Sequence, residues 1–190
     1  GVVEWDGELE DRDTENNTSV SASTFAVSEP IVDLSPLIEQ VDIAAQVLPG
    51  ATGKIKINVV NNGNIPSTKN VTLRVYASED GELEGATQIG QSDAGVPGLN
   101  PQDSKKVTID MAIPQDLTPG FYQLVVEVVE EDAANASNDT VTTAWALQVL
   151  APFGDLAGVF EQIDLDPAPM PGDTGKVKFL VVNNGNITAD

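Results

Sequence analysis

The chain has no cysteine and no histidine, and these two absences remove most catalytic and metal chemistry at the outset. Without them there is no Ser-His-Asp or Cys-His nucleophile, no thiolate, no disulfide and no zinc site of the usual kind. A bound metal would have to be hard and oxygen-ligated. Basic residues are scarce too: 9 Lys and Arg stand against 30 Asp and Glu among 190 residues, a net charge of −21. A field of that sign repels phosphate and excludes nucleic acid and anionic membrane surfaces as main partners. No apolar run exceeds five residues, whereas a membrane-spanning helix needs about 20. Residues 1–30 carry Trp5, Asp6 and Glu8 where a secretory leader needs a basic and then an apolar stretch, so no leader is expected there.

What the chain does have is a β composition. Val, Ile and Thr are plentiful, and 16 Gly with 12 Pro punctuate it. Such residues favour strands separated by many turns. A hydrophobic content of 41% is enough to fill one sandwich core and sets the chain apart from a disordered acidic tail.

An internal repeat fixes the organisation. Asp33-Leu34 recurs as Asp155-Leu156, Pro49-Gly50 as Pro171-Gly172, Thr52-Gly53-Lys54 as Thr174-Gly175-Lys176, and Val59 to Ile65 recurs whole as Val181 to Ile187. Over residues 33–65 the offset of 122 gives 18 identities in 33 without a gap. The same offset maps Asn16 to Asn138, Thr18 to Thr140, Val27 to Val149 and Pro30 to Pro152. The expected organisation is therefore one complete unit over residues 31–152. Residues 1–30 read as the last strands of a preceding unit, and residues 153–190 as the first strands of a following one.

Alternation of apolar and polar residues marks the strands of the complete unit. A first, proline-marked strand covers residues 31–43. Ile55, Ile57 and Val59 alternate with Lys56 and Asn58; Val71, Leu73 and Val75 alternate with Thr72 and Arg74. A short strand is expected near Thr87–Gly90, followed by one carrying Val107, Ile109 and Met111. Tyr122, Leu124, Val126 and Val128 share a face of the next, and Val141, Trp145, Leu147 and Val149 a face of the last. Seven strands, frequent turn signals and no helical pattern predict an all-β, immunoglobulin-like antiparallel β-sandwich. Tyr122, just after a Pro-Gly turn, stands where a tyrosine corner would place it.

Several of these runs carry a resemblance. They are Val59-Val60-Asn61-Asn62-Gly63-Asn64, Val71 to Ser78, Asp80-Gly81, Ile89-Gly90, Val96-Pro97-Gly98-Leu99, Leu117 to Tyr122, and Thr14-Glu15-Asn16-Asn17. In this order and spacing the sequence resembles CARDB, the cell-adhesion-related domain found in bacteria and archaea. The resemblance implies tandem Ig-like modules in large secreted or surface proteins, with no shared catalytic residue. The chain departs from that pattern in its acidity, and in having Glu84-Gly85-Ala86-Thr87 where a further aspartate is expected.

Three acidic clusters are candidate calcium sites, because calcium takes six to eight oxygens and alternating loop carboxylates can supply them. One comprises Glu79, Asp80, Glu82 and Glu84; a second comprises Glu130, Glu131, Asp132 and Asp139, with Asn135 and Asn138 beside it. The third comprises Asp6, Glu8, Glu10, Asp11, Asp13 and Glu15. Asp33 and Asp155, at the starts of the two repeat units, join them as junction aspartates. The competing reading is a solvated surface that keeps the protein soluble. Sequons at Asn16, Asn17, Asn70, Asn135, Asn138 and Asn186 are candidate glycosylation sites in loops or at strand ends. Tyr122 and Trp145, both on inward positions, are expected in the core rather than in a sugar-stacking platform. Lys54, Lys56, Lys176 and Lys178 are expected to pair with acids across strands, the alternative being contact with an acidic patch of another chain.

Together these features predict a non-enzymatic extracellular structural or adhesion module, one link in a tandem array. No catalytic residue and no required cofactor are expected; calcium is the one cofactor left open. Neighbouring repeats of the same or an identical chain are the first partners, with glycans or cell-surface proteins second. The alternatives are a filament or surface-layer subunit completed by strands of neighbouring chains, and a glycan- or protein-binding module working through its loops.

Overall fold

The structure is a computed structural model. It describes residues 2, 4, 7, 10, 12–130 and 135–188, and its contacts divide the chain into two units, Gly1–Pro30 and Ile31–Asp190. In the first unit the described residues form a 3-10 turn over Thr14–Asn17, where the Asp13 side chain accepts from the Glu15 amide at 3.2 Å. An isolated bridge joins Val2 to Thr18. Trp5, Asp6, Glu8 and Asp11 lie outside the described residues.

The second unit opens with eight strands: β1 (Leu34–Asp42), β2 (Gln46–Val47), β3 (Thr52–Asn61), β4 (Val71–Ser78), β5 (Thr87–Ala94), β6 (Ser104–Ala112), β7 (Gly120–Val129) and β8 (Thr140–Val149). They form two sheets, one in the order β1-β3-β6 and one in the order β2-β8-β7-β4-β5. Period-2 patterning explains why these segments are strands and which side they bury. In β3, Ile55, Ile57 and Val59 are buried while Lys54 and Lys56 are exposed. In β4, Val71, Leu73, Val75 and Ala77 point into the same core, and in β7 Tyr122, Leu124, Val126 and Val128 do so. The result is the expected immunoglobulin-like sandwich, with eight strands in place of seven.

The extra strand arises because the first strand breaks after Asp42. β1 pairs antiparallel with β3, and after a short kink β2 pairs with β8 in the other sheet, this time in parallel. Pro49-Gly50 then turns the chain, with Gly50 at φ +88°, a left-handed conformation that favours glycine. The strand expected near Thr87–Gly90 extends to Ala94 and pairs along β4.

Trp145 corrects the expectation of a core position. It is 41% exposed, while Tyr122 is buried as expected. The cause is a bulge. Gln123 pairs with Ala146 but Val125 pairs with Thr142, so Thr143, Ala144 and Trp145 stand opposite Leu124 alone. Buried Thr143 accepts from the Leu124 amide at 3.0 Å and donates to the Trp145 carbonyl at 2.8 Å. The inward slot is filled by threonine and the indole is expelled.

The turn after β3 is organised by one side chain. Asn61 is fully buried. Its amide nitrogen donates to the carbonyls of Ile65 and Leu99, both at 2.9 Å, and its oxygen accepts from the Gly63 amide at 2.9 Å. Its backbone donates to the Asp103 carbonyl and accepts from the Gln102 amide. Three segments meet there: the turn itself, the loop before β6, and the approach to β1. The approach is held by Asn62, whose amide donates to the Asp33 carbonyl, and by Asn64, whose side-chain oxygen accepts from the Ile31 amide at 2.8 Å. Gly63 is required by proximity, because a Cβ would lie 2.3 Å from the Ile31 carbonyl oxygen.

Beyond the sandwich, β9 (Leu156–Asp164) and β10 (Lys176–Asn183) form a two-stranded antiparallel hairpin. It repeats β1 and β3 in detail. Ile38 pairs with Ile57 and Gln40 with Lys56, bulging Glu39; Phe160 pairs with Phe179 and Gln162 with Lys178, bulging Glu161. Asn183 repeats the Asn61 turn, donating to the Ile187 carbonyl at 2.8 Å and accepting from the Gly185 amide at 2.9 Å.

Replacing Asn61 with Ala strands the half-buried Ile65 carbonyl and the buried Gly63 amide, each costing roughly 1–3 kcal/mol, and leaves the Leu99 carbonyl with the Ser67 amide as its remaining donor. Asn61→Ala is expected to lower unfolding free energy by about 3 kcal/mol or more, read from urea melts of the sandwich. A loss below about 1 kcal/mol would show that the turn does not depend on this amide.

Candidate functional site

Burial and pairing bring one acidic cluster together at the end of the sandwich where β1 begins. The 3-10 turn Ala136–Asn138, capped by the Asn135 side chain, returns the chain from β7 to β8. It presents the Asn138 amide nitrogen to both carboxylate oxygens of Asp33, at 3.1 and 3.3 Å. Glu130, at the end of β7, and Asp139, at the start of β8, complete the corner. Glu130 is half-buried. Burial raises its pKa to about 7, with the Asp139 and Asp33 carboxylates adding to the shift and a hydrogen bond from the Leu34 amide opposing it. Asp139 is raised as well, by burial first and then by Asp33 and Glu127. One Glu130 oxygen and the Asn138 side-chain oxygen are enclosed without a hydrogen-bond partner. Glu131 and Asp132 lie outside the described residues.

The cluster Glu79–Glu84 stands elsewhere, on the β4–β5 loop. Ser78 organises this loop: its hydroxyl donates to the Glu82 carbonyl at 2.7 Å and accepts from the Gly81 amide at 3.0 Å. Asp80 accepts from the Glu82 amide at 3.0 Å, and this bond, with one from Ser78, holds its carboxyl below the ordinary range. Glu79, Glu82 and Glu84 are exposed. The Asp155 backbone carbonyl accepts from Asn184 at 2.7 Å, and the residue is exposed at the start of β9. Among the described residues no three histidine, cysteine, aspartate or glutamate side chains are grouped so that they could hold a metal ion.

The sequons differ in availability. Asn16, Asn70 and Asn135 are exposed. Asn17 is half-buried. Asn138 is committed to Asp33, and Asn186 donates to the Ala151 carbonyl at 2.9 Å and accepts from the Phe153 amide at 2.8 Å. A glycan on either of these two nitrogens would break the contact. The lysines pair across strands as expected in two cases, Lys54 with Asp110 and Lys178 with Glu161, both at 2.9 Å; Lys56 instead donates to Gln40.

Tyr122 forms the tyrosine corner, its hydroxyl donating to the Thr118 carbonyl at 2.8 Å. That fastens the entry to β7. A groove of about 540 Å³ opens beside Asp42, Thr52, Lys54, Ile89 and Asp110, where the Asp110 carboxylate is occupied by Lys54. Among the described residues no helix is long and apolar enough to cross a membrane.

The CARDB family model matches residues 31–142. The crystal structure of the CARDB domain of a Pyrococcus furiosus protein, in complex with di-metal ions, is similar with a TM-score of 0.44 and 19% identity, covering 65% of this chain and 97% of that one. A solution structure of the same domain is 22% identical over 64% of this chain and 98% of that one, with a TM-score of 0.44. A β-glucosidase from Listeria innocua in complex with glucose is 11% identical with a TM-score of 0.42, covering 65% of this chain and 17% of that one. No curated protein matches the chain.

Ionised Glu130 is disfavoured in the fold, so its contribution to stability is intact below pH 4.5 and declines as pH rises towards about 7. Glu130→Gln should remove this decline and stabilise the protein at pH 8 by roughly 1–2 kcal/mol, a figure reduced for solvent screening. Thermal melts at pH 4.5 and pH 8 check it; equal wild-type and variant slopes would contradict it. CARDB is a non-catalytic, adhesion-related module family of surface proteins, and this chain belongs to it over residues 31–142.

Proposed function

We propose that the chain is a non-enzymatic extracellular link in a tandem array of Ig-like modules, spacing or joining parts of a larger surface protein. The observation that carries this reading is the hairpin β9–β10, which repeats β1–β3 in register, bulge and turn. In β3 the inward residues Ile55, Ile57 and Val59 are buried under the second sheet. Their counterparts Val177, Phe179 and Val181 are 59%, 62% and 56% exposed. A face of that kind is half of a core, and the internal repeat supplies its own pattern for the other half: a β6-like strand along β10 and a five-stranded sheet across the face.

The reading is tested with a chain in which residues 66–152 are repeated after Ile187. It should form two sandwiches, with the amides of β10 gaining protection from exchange comparable to β3. Hairpin amides that stay as labile as in the present chain would overturn the array reading.

A second reading attaches to the corner of Asp33, Glu130 and Asp139. The enclosed, unpartnered Glu130 oxygen and the neighbouring carboxylates favour a proton on Glu130, with calcium as the rival that the test separates from it, since the three carboxylates are not grouped as a metal site. A rise in melting temperature with millimolar calcium at pH 8, lost in Asp33→Ala, supports calcium. A melting temperature indifferent to calcium and chelator leaves the proton on Glu130 as the means of relieving the charge. Glycan binding has support from two exposed aromatic rings of the sandwich, Trp145 on the β8 bulge and Phe121 on β7.

A further inference from the structure

Tension applied along this chain would enter the sandwich at Ile31 and leave it after Val149. β2, on the entering segment, lies parallel to β8, the strand that leaves, with Gln46 beside Gln148 and Val47 beside Val149. The Gln148 amide donates to the Ala45 carbonyl at 2.9 Å and the Leu150 amide to the Val47 carbonyl at 2.8 Å. The Gln46 side chain adds a bond to Gln148 at 2.6 Å. When one of two parallel strands is drawn by its N-terminal side and the other by its C-terminal side, the strands must slide past each other. Bonds lying across the strands then load together, whereas a hairpin pulled from its two adjacent ends opens one pair at a time.

The chain on either side of this patch has no slack. At the entrance, the Ile31 amide is bound to the Asn64 side chain, the Ile31 carbonyl accepts from the Asn64 amide at 3.0 Å, and the Asp33 carbonyl accepts from Asn62 at 2.7 Å. At the exit, the Leu150 amide belongs to the sandwich, while the Ala151 carbonyl already belongs to the next turn through the Asn186 side chain at 2.9 Å. Phe153 is tied to Asn186 through both its amide and its carbonyl. Pro152, whose ring fixes φ, stands within this second set of bonds, between Ala151 and Phe153.

We propose that the sandwich is a tension-bearing link, whose mechanical strength is set by the β2–β8 patch and whose load passes to the following hairpin through the Asn186 turn. The inference rests on the reading of the chain as a structural link.

The test is single-molecule extension of the full chain, held by cysteines added at its two ends; the natural absence of cysteine makes those attachment points unique. The sandwich should unfold in one high-force event. Removing the glutamine bond (Gln46→Ala with Gln148→Ala) and, separately, the Leu150 donor (Leu150→Pro) should each lower the unfolding force, the proline variant more, because it removes one of the backbone bonds across the patch. Urea stability of the glutamine variant should barely change, since exposed side-chain bonds contribute little at equilibrium. As a control, Asn61→Ala should lower urea stability far more than the glutamine variant does. Forces unchanged in both patch variants, or a wild-type chain that opens gradually at low force, would overturn the inference. That result would leave the array reading standing, and a hairpin that fails to gain a core in the extended chain would overturn the array reading without touching the clamp.

Discussion

The sandwich depends on the buried amide of Asn61. A polar side chain with no access to water must find all its partners inside the protein, and Asn61 finds them in two separate segments: Gly63 and Ile65 in its own turn, and Leu99 in the loop before β6. Satisfying that one group fixes where β3 ends and where β6 starts, and it presents Asn62 and Asn64 to the incoming chain at Ile31 and Asp33. The same turn thereby holds the start of β1 and, through Asp33, one side of the acidic corner. Gly63 belongs to the same constraint, because the incoming backbone passes where a Cβ would stand.

The hairpin β9–β10 separates local from non-local causes in one molecule. It keeps the pairing register, the bulged glutamate and the asparagine turn with its apolar face uncovered. Those features are therefore set by residues within about 35 positions of one another. Burial adds something different. Asn61 gains Leu99 as a partner and loses all solvent, whereas Asn183 carries the same short-range bonds while exposed. The local code specifies geometry, and the second sheet converts geometry into stability.

Much of this was legible in the sequence because its signals were local. The repeat was visible as identities, and the strands of the core as alternation at Ile55–Val59, Val71–Val75 and Tyr122–Val128. The tyrosine corner followed from a Pro-Gly turn just before Tyr122. Alternation places Trp145 inward because it counts positions and carries no information about a bulge; the bulge depends on Thr143 bonding to Leu124 on the neighbouring strand. β2 is invisible to alternation for a related reason. A two-residue strand has no periodicity to detect, and its partner Gln148 lies 102 residues from Gln46. In the acidic clusters, charge alone did not distinguish the exposed glutamates of the β4–β5 loop from the corner of Asp33, Glu130 and Asp139. What separates them is burial, which raises Glu130 and leaves Asp80 capped by its own loop.

The most direct measurement is native-state amide exchange compared at two equivalent positions, Gly63 and Gly185. Each donates to the side chain of an equivalent asparagine at 2.9 Å. If the Asn61 amide is the point on which the sandwich closes, Gly63 should exchange only with global unfolding, as slowly as the core amides of β3 and β7, although it lies in a turn. Gly185, with the same local bond and no second sheet above it, should exchange orders of magnitude faster. Gly63 exchanging at the rate of Gly185, while β3 stays protected, would contradict the account.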